Sequence, residues 1–181
     1  MAGAQIVPRL ERGFFHGEQM ETGHFYYIKD EFYEALPHCN LMTNKPDDAS
    51  GQHGRPCHYC FAADDVYWMV PISSQVDKFK RIYNHKMEKR GECDGIVFGF
   101  VNGKNKAFLI QNAFPITQEY IDREYFIEKG KVPATVNDRV SDEINKYVRK
   151  VIRLYKRGIR TTFTDLDSIF AFLASHKSTL P

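Results

Sequence analysis

A chain of 181 residues with 43% hydrophobic and 27% charged residues is long enough to bury one core without disulfide or metal staples, and its composition is that of an ordinary globular domain. No apolar run approaches the ~18 residues of a membrane-crossing helix, and Arg9, Glu11 and Arg12 break the stretch that a secretory leader would keep apolar, so a cytoplasmic address is expected. The net charge of +2 argues against a uniformly cationic protein, but it averages over two dense basic segments, 78–90 and 146–160.

Residues 1–23 form an N-terminal extension that the pattern leaves unassigned, and 24–181 are expected to form a single domain, with no repeat, low-complexity tract or linker. From His24, HFYYIKDEFYEAL opens with aromatic and β-branched residues suited to a strand and continues as a short helix that Pro37 stops. Residues 37–54, rich in Asn, Asp, Pro, Ser and Gly, read as a long loop. RPCHYCFAA and VYWMVPI, joined at Asp64-Asp65, predict a hairpin whose second strand ends at Pro71. Ser74-Gln75-Val76-Asp77 has capping-box spacing and opens a helix with Val76, Phe79, Tyr83 and Met87 on one stripe and a basic outer surface.

CDGIVFGFV and KNKAFLIQN flank Asn102-Gly103, a pair that accepts the positive φ angles of a tight hairpin turn. A long helix is expected from Asn137 to about Arg157, with Val140, Ile144, Tyr147, Val151 and Leu154 on one face and Gly158 as its stop. A last amphipathic helix, from Thr164 or Asp165 to Ser175, places Leu166, Ile169, Phe170 and Leu173 together. Short antiparallel strands interrupted by helices predict an α+β fold: a curved antiparallel sheet or small barrel with flanking helices.

Three features carry candidate chemistry. Ser73 and Ser74 stand where a strand passes into a helix N-terminus, a place that favours anions, with Lys78 one turn beyond Ser74; a simple helix cap is the competing explanation. Cys57-His58-Tyr59-Cys60 holds soft ligands that suggest zinc, but strand alternation sends Cys57 and Cys60 to opposite faces and no second ligand pair follows, so buried thiols are the plainer expectation. The long helix carries Lys146, Arg149, Lys150 and Arg153, which together with Arg81, Lys86, Lys89 and Arg90 suit a nucleic-acid backbone or a merely solvated face. Gln111 and Asn112, at a strand end, suit RNA bases or turn backbone equally.

The ordered segments YIKDEF (27–32), Asn44-Lys45, Arg55-Pro56, YWMVPISS (67–74) and FLIQNAFP (108–115) together resemble the TenpN and CptN branch of type III toxin-antitoxin toxins, relatives of ToxN and AbiQ, over residues 25–158. The resemblance implies an SH3-like barrel similar to MazF and Kid toxins. It also implies a sequence-selective endoribonuclease that works without metal or other cofactor, leaving 2′,3′-cyclic phosphate and 5′-hydroxyl ends on cellular RNA. The implied partner is a small repeat-encoded pseudoknot RNA, which the toxin processes and which inhibits it in a protein-RNA hetero-oligomer; neither DNA nor a membrane is expected to take part.

On this resemblance Ser73 and Ser74 orient and stabilise the scissile phosphate, Lys78 or Lys80 supplies positive charge, and Arg55 stands where similar proteins carry another active-site cation. His53 is a candidate general base, a role that fails if His53→Ala leaves cleavage intact. Lys29 and Lys45, within the resembling segments, join the expected RNA contacts. Cys57, His58 and Cys60 depart from the aromatic residues that similar proteins have there. A non-catalytic RNA-binding module and a zinc-dependent enzyme centred on Cys57 and Cys60 are the alternatives.

Overall fold

The computed structural model describes residues 20–44, 54–127 and 132–176, and Lys45 and His53 lie outside them. Strand β1 (Phe25–Ile28) leads into the short helix α1 (Asp30–Ala35), as the aromatic start and acidic continuation predict. Strands β2 (Cys57–Ala63) and β3 (Val66–Ser73) form the first hairpin, with Asp64 and Asp65 both at positive φ in its turn. Helix α2 (Val76–Arg90) follows, then the hairpin β4 (Val97–Val101) and β5 (Lys104–Phe108). At its turn Asn102 has φ 50° and Gly103 φ 68°, left-handed values that Asn and Gly accept at low cost.

Beyond β5 the chain makes a 3₁₀ turn at Ile110–Asn112 and continues through β6 (Phe114–Ile116), β7 (Ile121–Glu124) and the two-residue pair β8 (Phe126–Ile127) and β9 (Val132–Pro133). Helices α3 (Asp138–Tyr155) and α4 (Leu166–Ser175) complete the described residues. No helix among these residues is long and apolar enough to cross a membrane.

The strands form an antiparallel sheet in the order β4-β5-β3-β2-β1-β7, and β6 adds to β3; β4 and β7, at the two ends of that path, have no pairing with each other among the described residues. The fold is α+β, an antiparallel sheet with flanking helices, as expected. Helix α3 packs on β2 and β4, α2 on β5, and α4 on β6. The main core gathers Phe25, Phe32, Trp68, Met69, Phe108 and Phe114 between the sheet and α3 and α4, and a smaller cluster of Phe79, Cys93, Ile96, Ala107 and Leu109 lies under α2. Gly99 on β4 permits the close approach of α3, since a Cβ there would stand 2.8 Å from Val140 Cγ1.

Several local expectations change. Strand β3 does not stop at Pro71 but runs to Ser73, because the missing proline N–H falls in the gap where β3 passes from β6 (partner to Tyr67–Met69) to β5 (partner to Ile72 and Ser73). Pro71 O, on that same edge, accepts from Leu109 N at 3.0 Å. Ser74 does not cap α2: the residue before the helix is Gln75, whose side chain makes no cap bond. Met87 is 36% exposed, outside the buried stripe, because α2 is covered only over Phe79 and its neighbours. Helix α3 ends at Tyr155, with Asn137 Oδ1 accepting from Arg139 N at its start. Gln111 and Asn112 lie in the 3₁₀ turn, since β5 closes at Phe108.

The Cys57–Cys60 run is core. A register shift between Tyr59 and Phe61 interrupts the alternation at Cys60, and Cys57, His58 and Cys60 are all 0% exposed. Burial pushes the Cys57 thiol up to about 12 and raises the Cys60 thiol as well, so both stay protonated. No group of three or more His, Cys, Asp and Glu arranged to hold a metal occurs among the described residues. His58 lies with Nε2 3.4 Å from Ser141 Oγ and Nδ1 3.6 Å from Cys60 Sγ, fastening β2 to α3.

Burial first, and the nearby His24 second, lower the His58 pKa from 6.5 to about 3. The unfolded chain therefore binds the extra proton between those values while the folded chain does not. His58 contributes its full stability above pH 6.5 and loses it progressively as pH falls toward 3. Its expected share of the acid slope is at most about 1.4 kcal/mol per pH unit, and urea midpoints measured across this window should fall less steeply for His58→Gln than for the wild type.

Candidate active site at the β3–α2 junction

The antiparallel registers Cys57↔Pro71 and Ser73↔Ala107, continued outward, bring three chain segments into a row two ranks deep at the end of β3. Arg55 falls beside Ser73 on the β2 side, and Lys106 falls beside Ser74 on the β5 side. Hydrogen bonds bear this out. Arg55 Nη1 donates to Ile72 O at 2.9 Å, and Lys106 Nζ donates to Ser74 Oγ at 3.0 Å. Ser73 is 6% exposed, and its Oγ accepts from Gln75 N at 3.2 Å, closing the turn into α2. Ser74 is exposed. One serine shapes the backbone and the other presents a hydroxyl to solvent.

Asn44 holds Arg55 in this row. Its Oδ1 accepts from Arg55 N at 2.9 Å, and its Nδ2 donates to Ile28 O at 2.8 Å and Asp30 Oδ1 at 2.7 Å. Arg55 Nε adds a bond to Thr43 O at 3.3 Å. One side chain thus ties the end of β1 and the start of α1 to the residue that delivers the guanidinium. Guanidinium, ammonium and hydroxyl groups are all donors, so the row suits a ligand rich in acceptor oxygens, as a phosphoryl group is.

The other expected site residues are spread over the surface. Lys78 is exposed with Nζ 5.5 Å from the Phe79 ring centroid, and Lys80 is exposed further along α2. The cation that reaches Ser74 comes instead from β5. Arg81, Lys89 and Arg90 are exposed on α2. Lys86 donates to Gln111 Oε1 at 2.9 Å, and the Gln111 backbone bonds Gly95 O and Phe163 N, so the buried Gln111 works as a structural joint. Asn112 is half-buried and donates its N–H to Leu109 O. Lys29 Nζ donates to Glu119 O at 2.7 Å.

On α3, Lys146 and Arg153 are exposed and Arg149 lies 4.0 Å above the Phe61 ring. Lys150 pairs with Asp94 and stands 3.8 Å from Glu92, and the Asp94 hydrogen bond and charge raise its pKa. A groove of about 690 Å³ runs here, lined by the acids Glu92, Asp94 and Asp142 as well as by these cations. This face is mixed in charge, so the all-basic stripe read along the helix is interrupted by acids from the segment before β4.

Lys106 and the anchoring role of Asn44 escape a reading of the sequence. Lys106 lies 32 residues from Ser74, and only the β3–β5 register joins them. The polar run around Asn44 marks a loop without saying what it holds.

No protein-family model matches the chain, and no curated protein matches it. A solved structure described by the words "A processed non-coding RNA regulates a bacterial antiviral system" is similar to it, with a TM-score of 0.56, 14% identity, and coverage of 86% of this chain and 99% of that one. At that identity the likeness shows a shared fold: an α+β antiparallel sheet with flanking helices.

Asn44→Ala removes three hydrogen bonds, two of them partly buried, and is expected to cost about 1–3 kcal/mol, read as a lowered urea midpoint. An unchanged midpoint would mean that Arg55 is held in place without it.

Proposed function

We propose that the chain is a sequence-selective endoribonuclease toxin of the type III toxin-antitoxin class, in its TenpN/CptN branch. The observation that carries this reading is the row at the end of β3, where the anchored Arg55 falls beside the shaping Ser73 and the exposed Ser74 follows it. The row lies on a fold shared with a protein of an RNA-regulated bacterial antiviral system. The sequence segments resembling ToxN-like toxins run through the same residues.

In the proposed reaction the ribose 2′-oxygen attacks the adjacent phosphorus and the bond from phosphorus to the 5′-oxygen breaks. The 2′-hydroxyl gives up a proton and the departing 5′-oxygen gains one, so no water is consumed, and the ends are a 2′,3′-cyclic phosphate and a 5′-hydroxyl. Negative charge grows on the phosphoryl oxygens between these events, and donors already aimed at them accelerate the step. Ser74 supplies such a donor, Ser73 holds the turn that presents it, and Arg55 supplies fixed positive charge on the β2 side. Lys78 and Lys80 stand at the mouth of α2 as cations for the incoming strand.

The inhibitory partner in this reading is a structured repeat RNA that the enzyme cuts from its precursor and then retains in a protein-RNA assembly. Exposed cations on α2 and α3, with Lys29 near α1, would follow its backbone.

Incubating wild-type protein and Ser74→Ala with a mixed RNA pool in EDTA tests the reading. Wild type should leave specific cuts with cyclic-phosphate ends, and the variant should be slower by about 10²-fold or more. Gel retardation without new 5′-hydroxyl ends would favour a non-catalytic RNA-binding module, and cutting that needs added metal would favour a metal-dependent enzyme.

Salt dependence separates free from committed cations. Lys89→Ala should reduce the slope of log affinity against log salt by about 1. Lys150→Ala, whose ammonium already pairs with Asp94, should change it by much less. Equal changes would show that RNA displaces the Asp94 pair.

A further inference from the structure

We infer that Lys106 is a further catalytic residue of the site, the cation that contacts the reacting phosphoryl group on the β5 side and turns the Ser74 hydroxyl proton toward it. The assignment rests on the ribonuclease reading for its chemistry and on strand geometry for its place.

An ammonium group only donates hydrogen bonds. In the 3.0 Å contact the Ser74 oxygen is therefore the acceptor, and its own single proton must point away from Lys106. Ser74 is exposed, so that proton is presented to a ligand arriving at the end of β3. Lys106 thus polarises the hydroxyl and adds a positive charge within one hydrogen bond of the same ligand. Arg55, anchored to Ile72 O on the opposite side, falls beside Ser73, one residue before Ser74. A phosphoryl group seated on Ser74 would meet the Lys106 ammonium on the β5 edge.

The backbone beneath Lys106 is built for such a role. Strand β5 pairs with β3 on one edge and with β4 on the other. Its register partner at Lys106 is Gly99, where Val140 of α3 takes the space a side chain would fill. The strand is held on both edges as far as Ala107 and on the β4 edge at Lys106, packed through the facing glycine, and a donor on a rigid strand loses little freedom when its ligand binds. Lys78 and Lys80, the cations expected from helical spacing, lie along α2, and Lys78 leans over Phe79.

Two measurements on full-length protein test the inference. In the first, wild type, Lys106→Ala, Lys106→Arg and Lys104→Ala are compared in single-turnover cleavage of the same RNA pool. Lys106→Ala should fall about 10²–10³-fold in rate with little change in half-saturating RNA concentration, Lys106→Arg should recover part of the loss, and Lys104→Ala should stay near wild type. Added propylammonium should restore part of the rate to Lys106→Ala and none to Ser74→Ala, a rescue that a merely structural lysine would not show.

In the second, inorganic phosphate is titrated into ¹⁵N-labelled protein. The Ser74 and Gln75 amides should shift in the wild type and stay unmoved in folded Lys106→Ala. Cleavage by Lys106→Ala within about threefold of a cutting wild type would overturn the inference, since removal of such a donor costs far more. So would wild-type Ser74 and Gln75 amides that ignore phosphate. If phosphate binds as expected but the wild type cuts no RNA, the ribonuclease reading and the catalytic role of Lys106 fall together, whereas loss of the Lys106 role alone leaves that reading in place.

Discussion

Hydrogen bonding along both edges of β3 is the constraint on which the rest of the molecule depends. One edge pairs with β2 through residues 66–71; the other pairs first with β6 and then with β5. A strand that changes partner partway needs a break in its ladder, and Pro71 supplies one without leaving a buried N–H unpaired. The sheet can therefore continue to Ser73 and carry β5 up to the end of β3. Without that change of partner, Lys106 and Ser74 would have no reason to meet.

The core explains why this arrangement holds its shape. Helices α3 and α4 cover the sheet over a cluster rich in aromatic rings, including Phe25, Phe32, Trp68, Phe108 and Phe114. His58, wholly buried and neutral, joins β2 to α3 by way of Ser141, a polar contact that burial makes costly to misplace. Cys57 and Cys60 belong to the same packed layer, and their protonated thiols act as small apolar groups. The residues that looked most like a metal site in the sequence are part of the framework that supports the row at the end of β3.

Charge is distributed with a similar division of labour. The basic surface of α2 is exposed at Arg81, Lys89 and Arg90, while α3 meets acids from 92–94 that take up Lys150. Net charge stays near neutral because 25 Lys and Arg face 23 Asp and Glu, so positive potential is concentrated where cations lack acidic neighbours. A site built from anchored donors at a strand end needs little general positive charge to orient a phosphate.

Local pattern determined much of this protein. Asn102-Gly103 specified its hairpin because positive φ angles are cheap for those residues, and the 3.6-residue spacing of Val140, Ile144, Tyr147, Val151 and Leu154 marked the helix, which buries Ile144 and Val151 of that stripe together with Val148. The serine pair at 73–74 was legible because a strand-to-helix junction is a local event. Tertiary structure alone decided which cation reaches Ser74, since helical spacing favoured Lys78 whereas strand pairing delivered Lys106 from 32 residues away. It alone also decided that Gln111 is a joint and that Lys150 is paired to Asp94. Hydrogen-bond registers between strands distant in sequence depend on the packing of the whole core, and periodicity within one segment carries no information about them.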